Sequence, residues 1–379
     1  MKIRKILSFI IGTILTATIA TSCTEQTYGQ STPPSSQTTT EEQQTTTEKP
    51  QTTTEKPQET TTSKPNTTIP IQNTTITLSF AGDCTLGRDD AMPYDVSFNN
   101  YYDKNGPGFF FQNVKSIFDA SDLTVVDMEG TLTTQDTRAD KQFAFRAPLE
   151  YVNVLKLGGV DAVTIANNHT YDYGPKSYEE TVDTLRSNGI TVFGNDLVEV
   201  VDVKGIKVGL VGVYALEGTL EDPEQIRTNI TAAREAGAQI VVVFFHWGIE
   251  YTFEPNETQL TLGHNAVDWG ADLVVGCHVH CIQTIEAYKG TNIVYALGNF
   301  SFGGNWYPRD IDAMIYQHSF TVDSSGKIVN TDYQVIPCLI TSIPPQNNYQ
   351  PTPATGDEKV RIQNKLQSLS PTLTIKFSE

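Results

Sequence analysis

Residues 240–248 read IVVVFFHWG, and residues 273–280 read LVVGCHVH. Each stretch is a short apolar run that leads directly into histidine. Runs of this length and composition favour β-strands that are buried on both faces, as in the sheets of α/β proteins. The histidines therefore stand where the predicted strands end, which indicates that the strand ends carry the chemistry of this chain.

Similar runs recur along the rest of the sequence and alternate with amphipathic segments. The predicted strands are Ile76–Ala81, Leu123–Val126, Ala162–Ala166, Val208–Tyr214, Ile240–Phe245, Leu273–Val275 and Ile293–Leu297. The predicted helices are Lys176–Ser187, Glu224–Ala236, Glu257–Trp269 and Val360–Leu369. Strands that alternate with helices predict the α/β class.

Polar side chains follow six of these strands at the point where each ends. They are Asp83, Glu129, the run Asn167-Asn168-His169, His246, the pair His278 and His280, and Asn299. In open α/β sheets, ligands bind outside the carboxyl ends of the strands. The pattern therefore predicts a functional site built from strand ends.

Histidine is concentrated at this predicted site, because four of the six histidines lie in strand-end segments. If the chain is extended there, His278 and His280 face the same side. A mixed set of oxygen and nitrogen donors without thiolate suits Mn, Fe or Zn, and there are enough donors for two ions. The predicted ligands are Asp83, Glu129, Asn168, His246, His278 and His280. The alternatives are surface or capping histidines and carboxylates that only shape turns.

The remaining polar residues are predicted to handle the substrate. His169 would donate a proton to a leaving group, with Asp172 to orient it. Asn167 and Asn299 are candidate substrate contacts, although an Asx turn also explains the paired asparagines. Arg88 and Arg146 are candidate anion-binding residues, because guanidinium matches carboxylate and phosphate oxygens, or they form salt bridges within an acidic domain.

The order of these motifs resembles a known family. The motifs are Gly82-Asp83 with Gly87-Arg88, Met128-Glu129-Gly130, Ala166-Asn167-Asn168-His169, His246-Trp247-Gly248, Gly276-Cys277-His278-Val279-His280 and Tyr295-Ala296-Leu297-Gly298-Asn299-Phe300. Together they resemble the bacterial capsule-synthesis protein CapA family, which is associated with poly-γ-glutamate and is similar to the calcineurin-like metallophosphoesterases. The resemblance implies a four-layer α/β/β/α sandwich with a two-metal site.

The resemblance also implies individual roles. Asp83 corresponds to the first metal carboxylate and Glu129 to the bridging acid. Asn168 and His169 resemble the asparagine ligand and the proton-donor histidine, and His246, His278 and His280 resemble the late histidine ligands. Two motifs depart from the expected patterns. Thr85 stands where the phosphoesterases have the histidine of Asp-x-His, and Cys277 and Val279 replace a histidine and the proline of the family's usual Gly-His-His-Pro-His.

Two functions follow as expectations. The first is a metal-dependent hydrolase that cleaves a phosphoester or an amide bond of a γ-glutamyl polymer. The second is a non-catalytic accessory component of a poly-γ-glutamate synthesis or export complex, with membrane-bound synthase or export partners.

The first 73 residues predict export. Residues 1–23 begin with Lys and Arg, continue with an apolar run and end in small residues before Cys23, which resembles a lipoprotein signal with Cys23 as the acylated residue. Ordinary cleavage after an Ala-rich site and an uncleaved anchor are the alternatives. Residues 24–73 are rich in Thr, Gln, Pro, Glu and Lys and predict a disordered tether.

Residues 74–345 form the predicted CapA-like domain, and residues 346–379 form a predicted C-terminal extension with a short helix.

Localisation and charge complete the expectation. The protein is predicted at the outer face of the bacterial cell membrane as a lipoprotein, or in the cell wall, with the lipid as its only membrane contact. Its formal net charge is −18, which argues against nucleic acid as a partner. A polyanionic polymer would therefore be held where metal ions or arginine reverse the local field.

Overall fold

The computed structural model describes residues 73–216 and 222–378. The predicted lipoprotein signal with Cys23 and residues 24–72 of the predicted tether lie outside the described residues. Among the described residues, no helix combines the length and the hydropathy that a membrane span requires.

The strands and helices cover most of this part of the chain. The strands are β1 (Thr74–Thr85), β2 (Arg88–Asp89), β3 (Leu123–Met128), β4 (Thr131–Leu132), β5 (Phe145–Ala147), β6 (Ala162–Thr164), β7 (Thr191–Phe193), β8 (Val198–Val203), β9 (Ile206–Ala215), β10 (Ile240–Trp247), β11 (Leu273–Cys277), β12 (Ile285–Tyr288), β13 (Thr291–Val294), β14 (Asn299–Phe302), β15 (Asp312–Val322), β16 (Ile328–Leu339) and β17 (Thr352–Pro353). The α-helices are α1 (Phe98–Asn105), α2 (Lys115–Asp119), α3 (Val152–Gly158), α4 (Pro175–Ser187), α5 (Glu224–Glu235), α6 (Glu257–Asp268) and α7 (Gly356–Leu369).

Two large sheets and one small sheet organise these strands. The first sheet has the order β17-β16-β15-β1-β3-β6-β7, and β14 also pairs with β1. The second has the order β12-β13-β11-β10-β9-β8, and the small sheet has the order β2-β5-β4. Strands β1, β3, β6 and β7 are parallel, as are β9, β10, β11 and β13. Their carboxyl ends therefore point toward one edge of each sheet.

Three apolar clusters define the layers. The first lies between the two sheets and includes Phe80 of β1 and Phe244 of β10. The second joins the other face of the first sheet to helices α1 to α4, and the third joins the other face of the second sheet to α5 and α6. The predicted four-layer α/β/β/α sandwich is therefore confirmed. Strand β10 is buried along its whole length because both of its faces are covered.

The segment that follows residue 345 also packs on the sandwich. Ile362 and Leu366 of α7 belong to the cluster between the sheets. The guanidinium of Arg361 donates to both carboxylate oxygens of Asp312, and the Lys365 ammonium lies 2.8 Å from the same carboxylate. These contacts hold α7 against the start of β15.

Candidate metal centre

The strand ends of both sheets meet at one place. Asp83 lies near the end of β1, Asp127 and Glu129 lie at the end of β3, and His246 lies near the end of β10. Three overlapping groups of buried side chains could each hold a metal ion, with donor atoms within 4.8 Å of one another. The groups are Glu129 with His246 and His278, Asp83 with Glu129 and His280, and Asp83 with Asp127 and His246.

Glu129 gives the first test of whether a cation fits. Its two carboxylate oxygens are buried and have no hydrogen-bond partner among the described residues. Burial, together with the charges of Asp83 and Asp127, raises the pKa of Glu129 well above its usual range. A buried carboxylate without a donor is costly unless a cation compensates it, so this side chain fits a metal ligand.

His246 gives the second test. Its Nδ1 lies 2.7 Å from Oδ2 of Asp127, which assigns the ring proton to Nδ1. Its Nε2 then faces Oδ1 of Asn168 at 2.8 Å and Nδ1 of His278 at 3.0 Å. Burial lowers the pKa of His246 to about 3, so a second ring proton is disfavoured. Nε2 of His246 and Oδ1 of Asn168 are therefore two acceptor atoms that face each other without a proton between them, which suits a shared cation.

Asp83 and His280 form the other side of the centre. Nδ1 of His280 lies 3.4 Å from Oδ2 of Asp83 and 2.8 Å from Oδ1 of Asn299. Burial alone would raise the pKa of Asp83, but the hydrogen bond and the charge of His280 outweigh burial and lower it. The amide of His278 donates to Asp83 at 3.3 Å, which fixes the carboxylate from the backbone.

The segment that carries the two late histidines is not extended. His278 has a φ of 94° and His280 a φ of 57°, both in the left-handed region. The extended backbone on which the sequence prediction for this pair was conditional is therefore absent, because β11 ends at Cys277. The backbone turns sharply instead, and the two ring centroids lie 5.9 Å apart.

His169 stands beside this cluster on a network of its own. Its Nδ1 lies 2.7 Å from Oδ2 of Asp172, and its Nε2 lies 3.8 Å from Oε1 of Glu129. The Lys141 ammonium lies 2.7 Å from Oδ1 of Asp172, 2.7 Å from the carbonyl oxygen of Asn168 and 3.3 Å from Nδ1 of His169. Burial lowers the pKa of His169 despite the nearby carboxylate.

The two asparagines predicted as substrate contacts bind protein groups instead. Nδ2 of Asn167 donates to Oδ1 of Asp127 and to the carbonyl of Met128, both at 2.9 Å, and its Oδ1 accepts from the amide of His169. Oδ1 of Asn299 accepts a hydrogen bond from Nδ1 of the His280 ring at 2.8 Å. Both therefore orient residues of the centre.

A family model described as "Bacterial capsule synthesis protein PGA_cap" matches residues 77–304. The chain belongs to this family.

Among its curated relatives, the "PGA biosynthesis protein CapA" of Bacillus subtilis (strain 168) is 30% identical over 68% of this chain and 71% of the relative. The "Capsule biosynthesis protein CapA" of Bacillus anthracis is 29% identical over 64% of this chain and 63% of the relative. The "Probable polyglutamine synthesis accessory protein Rv0574c" of Mycobacterium tuberculosis is 26% identical over 59% of this chain and 67% of the relative.

The two arginines of this PGA_cap protein lie on the small sheet, where Arg88 of β2 pairs with Arg146 of β5. Arg88 donates to the carbonyl of Met92 at 2.6 Å, and Arg146 donates to the carbonyl of Gln135 at 2.8 Å. They line a pocket of about 470 Å³ whose lining includes none of the six predicted metal ligands. The structure therefore places them in a separate pocket.

Two residues of the PGA_cap site were missed from the sequence. Asp127 precedes Glu129 by two positions, and this spacing puts both on the same side of an extended strand, which could have revealed it. Lys141 lies in a long loop without periodicity, so nothing in its local sequence indicates that it reaches Asp172.

Proposed function

We propose that this PGA_cap protein is a metal-dependent hydrolase with a two-metal centre that acts in poly-γ-glutamate metabolism. The observation that carries the proposal is that two of the three donor groups share Glu129, whose carboxylate has no hydrogen-bond partner among the described residues. The names of the Bacillus relatives, which refer to PGA and capsule biosynthesis, support the biological setting.

Two cation positions account for the donor set. Asp83, Glu129 and His280 would hold one ion, and Glu129, Asn168, His246 and His278 the other, with Mn, Fe or Zn as the candidate metals. Such a pair supplies a hydroxide near neutral pH and stabilises the attacking and leaving oxygens of a displacement. Asp127 holds the His246 ring in the tautomer whose Nε2 is free to bind.

His169 would protonate the leaving group. Asp172 fixes its Nδ1, so Nε2 faces Glu129 and the centre. A lowered pKa makes the protonated ring a stronger acid, which favours proton transfer to a departing oxygen or nitrogen. Lys141 holds Asp172 and the Asn168 carbonyl in place, so it positions both the acid and a ligand.

The substrate is proposed to be a phosphoester or the amide bond of a γ-glutamyl polymer. The pocket of about 470 Å³ on the small sheet would bind carboxylates of the polymer through Arg88 and Arg146. This volume is within the range of small-ligand sites, about 300–1,000 Å³.

Placement at the cell surface is part of the proposal. It rests on the lipoprotein-like segment that ends at Cys23. Metabolic labelling with a radioactive fatty acid should mark the wild-type protein and leave Cys23→Ala unlabelled. Equal labelling of both proteins would refute anchoring at this cysteine.

The proposed activity is tested on the purified 379-residue chain, after chelation and reloading with Mn²⁺, Fe²⁺ or Zn²⁺. Bound metal is counted by mass spectrometry, and hydrolysis is measured on a phosphodiester, a phosphomonoester and poly-γ-glutamate. Wild type should bind two ions and turn over one substrate. Glu129→Gln should lose metal, and His169→Asn should keep metal but lose turnover by about 10²–10⁴-fold. His264→Asn is the matched control, because this histidine bonds Glu286 outside the centre.

The accessory function is the second candidate, because the Mycobacterium tuberculosis relative is named an accessory protein. Metal binding without turnover on every substrate would reject the hydrolase and favour that function. Absence of metal from the wild-type protein would reject the two-metal centre itself.

A further inference from the structure

Thr85 carries a second unpartnered oxygen in the same region as Glu129. The residue is fully buried, and its Oγ1 has no hydrogen-bond partner among the described residues. A buried hydroxyl that bonds nothing is rare in folded proteins and points to a partner such as a bound ion.

The position of Thr85 places this hydroxyl at the centre. Thr85 follows Asp83 by two residues on β1, and both pair with β14, with an irregularity in the register between them. Cys84, which lies between them, packs in the apolar cluster on the opposite face of the sheet, which faces α1 to α4. Side chains two residues apart on a strand lie on the same side. Thr85 therefore lies on the side of the sheet that carries the Asp83 carboxylate.

Its neighbours belong to the centre as well. Thr85 pairs with Phe302, whose ring centroid lies 5.0 Å from that of His280. A Cβ added to Gly130, the residue after Glu129, would lie 3.8 Å from Cγ2 of Thr85. The hydroxyl is thus enclosed by the same segments that carry Asp83, Glu129 and His280.

We propose that Oγ1 of Thr85 is an oxygen donor to the cation held by Asp83, Glu129 and His280. This inference rests on the proposed two-metal centre and specifies its donor set. With Thr85, this position has three oxygen-donating side chains and one imidazole. The position formed by Glu129, Asn168, His246 and His278 has two oxygen-donating side chains and two imidazoles.

The two positions are therefore chemically distinct. A set rich in hard oxygen donors suits Mn²⁺, whereas a set rich in imidazole suits Zn²⁺ or Fe²⁺. The geometry assigns Mn²⁺ to the position beside Thr85 and a softer ion to the position beside His246.

The test measures Mn²⁺ affinity rather than hydrolysis. The 379-residue chain is stripped with a chelator, and Mn²⁺ binding is followed by calorimetry and by the electron spin resonance of the free ion. Thr85→Val keeps the shape of the side chain and removes the hydroxyl, so it should weaken Mn²⁺ binding by about 10- to 100-fold. Thr85→Ser restores the hydroxyl and should bind within about threefold of wild type.

Thr124→Val is the matched control. Oγ1 of Thr124 is also buried without a partner among the described residues, but Thr124 stands at the start of β3, opposite the metal end. This variant should bind Mn²⁺ as wild type does. A comparable loss in Thr124→Val and Thr85→Val would assign the effect to packing and overturn the inference.

The remaining outcomes separate this inference from the proposed function. If wild type binds Mn²⁺ and Thr85→Val binds equally well, the hydroxyl is not a donor, and the two-metal hydrolase stands. If wild type binds no divalent ion, the proposed centre fails before any variant is compared. Thermal unfolding of each metal-free variant monitors folding. If Thr85→Val does not fold, Thr85→Ala, which also removes the hydroxyl, takes its place, and binding equal to wild type in that variant would overturn the inference.

Discussion

Glu129→Gln should stabilise the metal-free protein and abolish its stabilisation by metal. The wild-type carboxylate is buried beside Asp83 and Asp127, and both of its oxygens lack a hydrogen bond from the described residues. An unsatisfied buried group costs about 1–3 kcal/mol. A neutral amide removes the charge and can donate to its carboxylate neighbours, so we expect a gain of about 2 kcal/mol in the free energy of unfolding.

Metal should stabilise the wild type and leave the stability of the variant almost unchanged. A cation at 1,000 times its dissociation constant adds about 4 kcal/mol to the wild-type free energy of unfolding. At about 2 °C or more per kcal/mol, calorimetry should show a rise of about 8 °C for wild type and almost none for the variant. Without metal, the variant should melt about 4 °C above wild type.

The pH dependence provides an internal check on this reasoning. Because the pKa of Glu129 is raised in the folded state, the unfolded chain releases this proton first, and the metal-free wild type loses stability as pH rises above about 4.5. The advantage of the variant should therefore be small at pH 5 and larger at pH 8.

Glu180→Gln is the contrasting control. Glu180 accepts hydrogen bonds from Thr133, Thr134 and Gln135, which lower its pKa to about 2, so its replacement should lower the melting temperature. A Glu129→Gln variant that melts below wild type without metal, or that gains the full metal shift, would refute this account of the centre.

Three further predictions concern other parts of the molecule. Burial lowers the pKa of His318 to about 4 in the folded protein, so the contribution of this side chain to the free energy of unfolding should fall by about 2–3 kcal/mol between pH 7 and pH 4.5. Urea unfolding of His318→Phe should therefore depend less on pH than urea unfolding of the wild type. Lys141→Met should weaken metal binding about tenfold and lower turnover further, because Lys141 holds Asp172 and the carbonyl of Asn168. Lys141→Arg should recover part of the metal affinity, measured by calorimetry, and part of the turnover. Unchanged values in Lys141→Met would exclude a positioning role. Asp312→Asn should lower the free energy of unfolding by about 2–3 kcal/mol, because it leaves Arg361 and Lys365 without their shared carboxylate. Hydrogen exchange of the backbone amides in α7 should become faster. Equal exchange rates in the variant and the wild type would contradict this prediction.

The fold could be predicted wherever the sequence pattern is strong. Strands β1, β3, β9, β10 and β11 carry apolar runs because both faces are covered, so their existence is readable although most extend beyond the predicted limits. Strand β16 is different, since its first half is largely exposed and polar. Its long pairing with β15 is a tertiary feature that local composition does not indicate.

The candidate site was predictable to a similar degree. Strand ends predict which residues come together, and the structure brings together Asp83, Glu129, Asn168 and the three late histidines. The sequence could not indicate the left-handed backbone at His278 and His280, because neither residue type requires it. It also could not separate Arg88 and Arg146 from the centre, since that depends on the pairing of β2 with β5.

The central place of β1 has a mechanical consequence. The described chain enters the domain through this strand, which lies between β15 and β3 in the larger sheet. Its hydrogen bonds to antiparallel β15, from Thr74–Val322 to Phe80–Tyr316, run across the strand direction. A pull from the N-terminal side therefore loads these bonds together in shear, rather than opening them one at a time. If the domain is held from that side, a pulling force acts on a strand that is hydrogen-bonded to neighbours on both sides. The same strand carries Asp83.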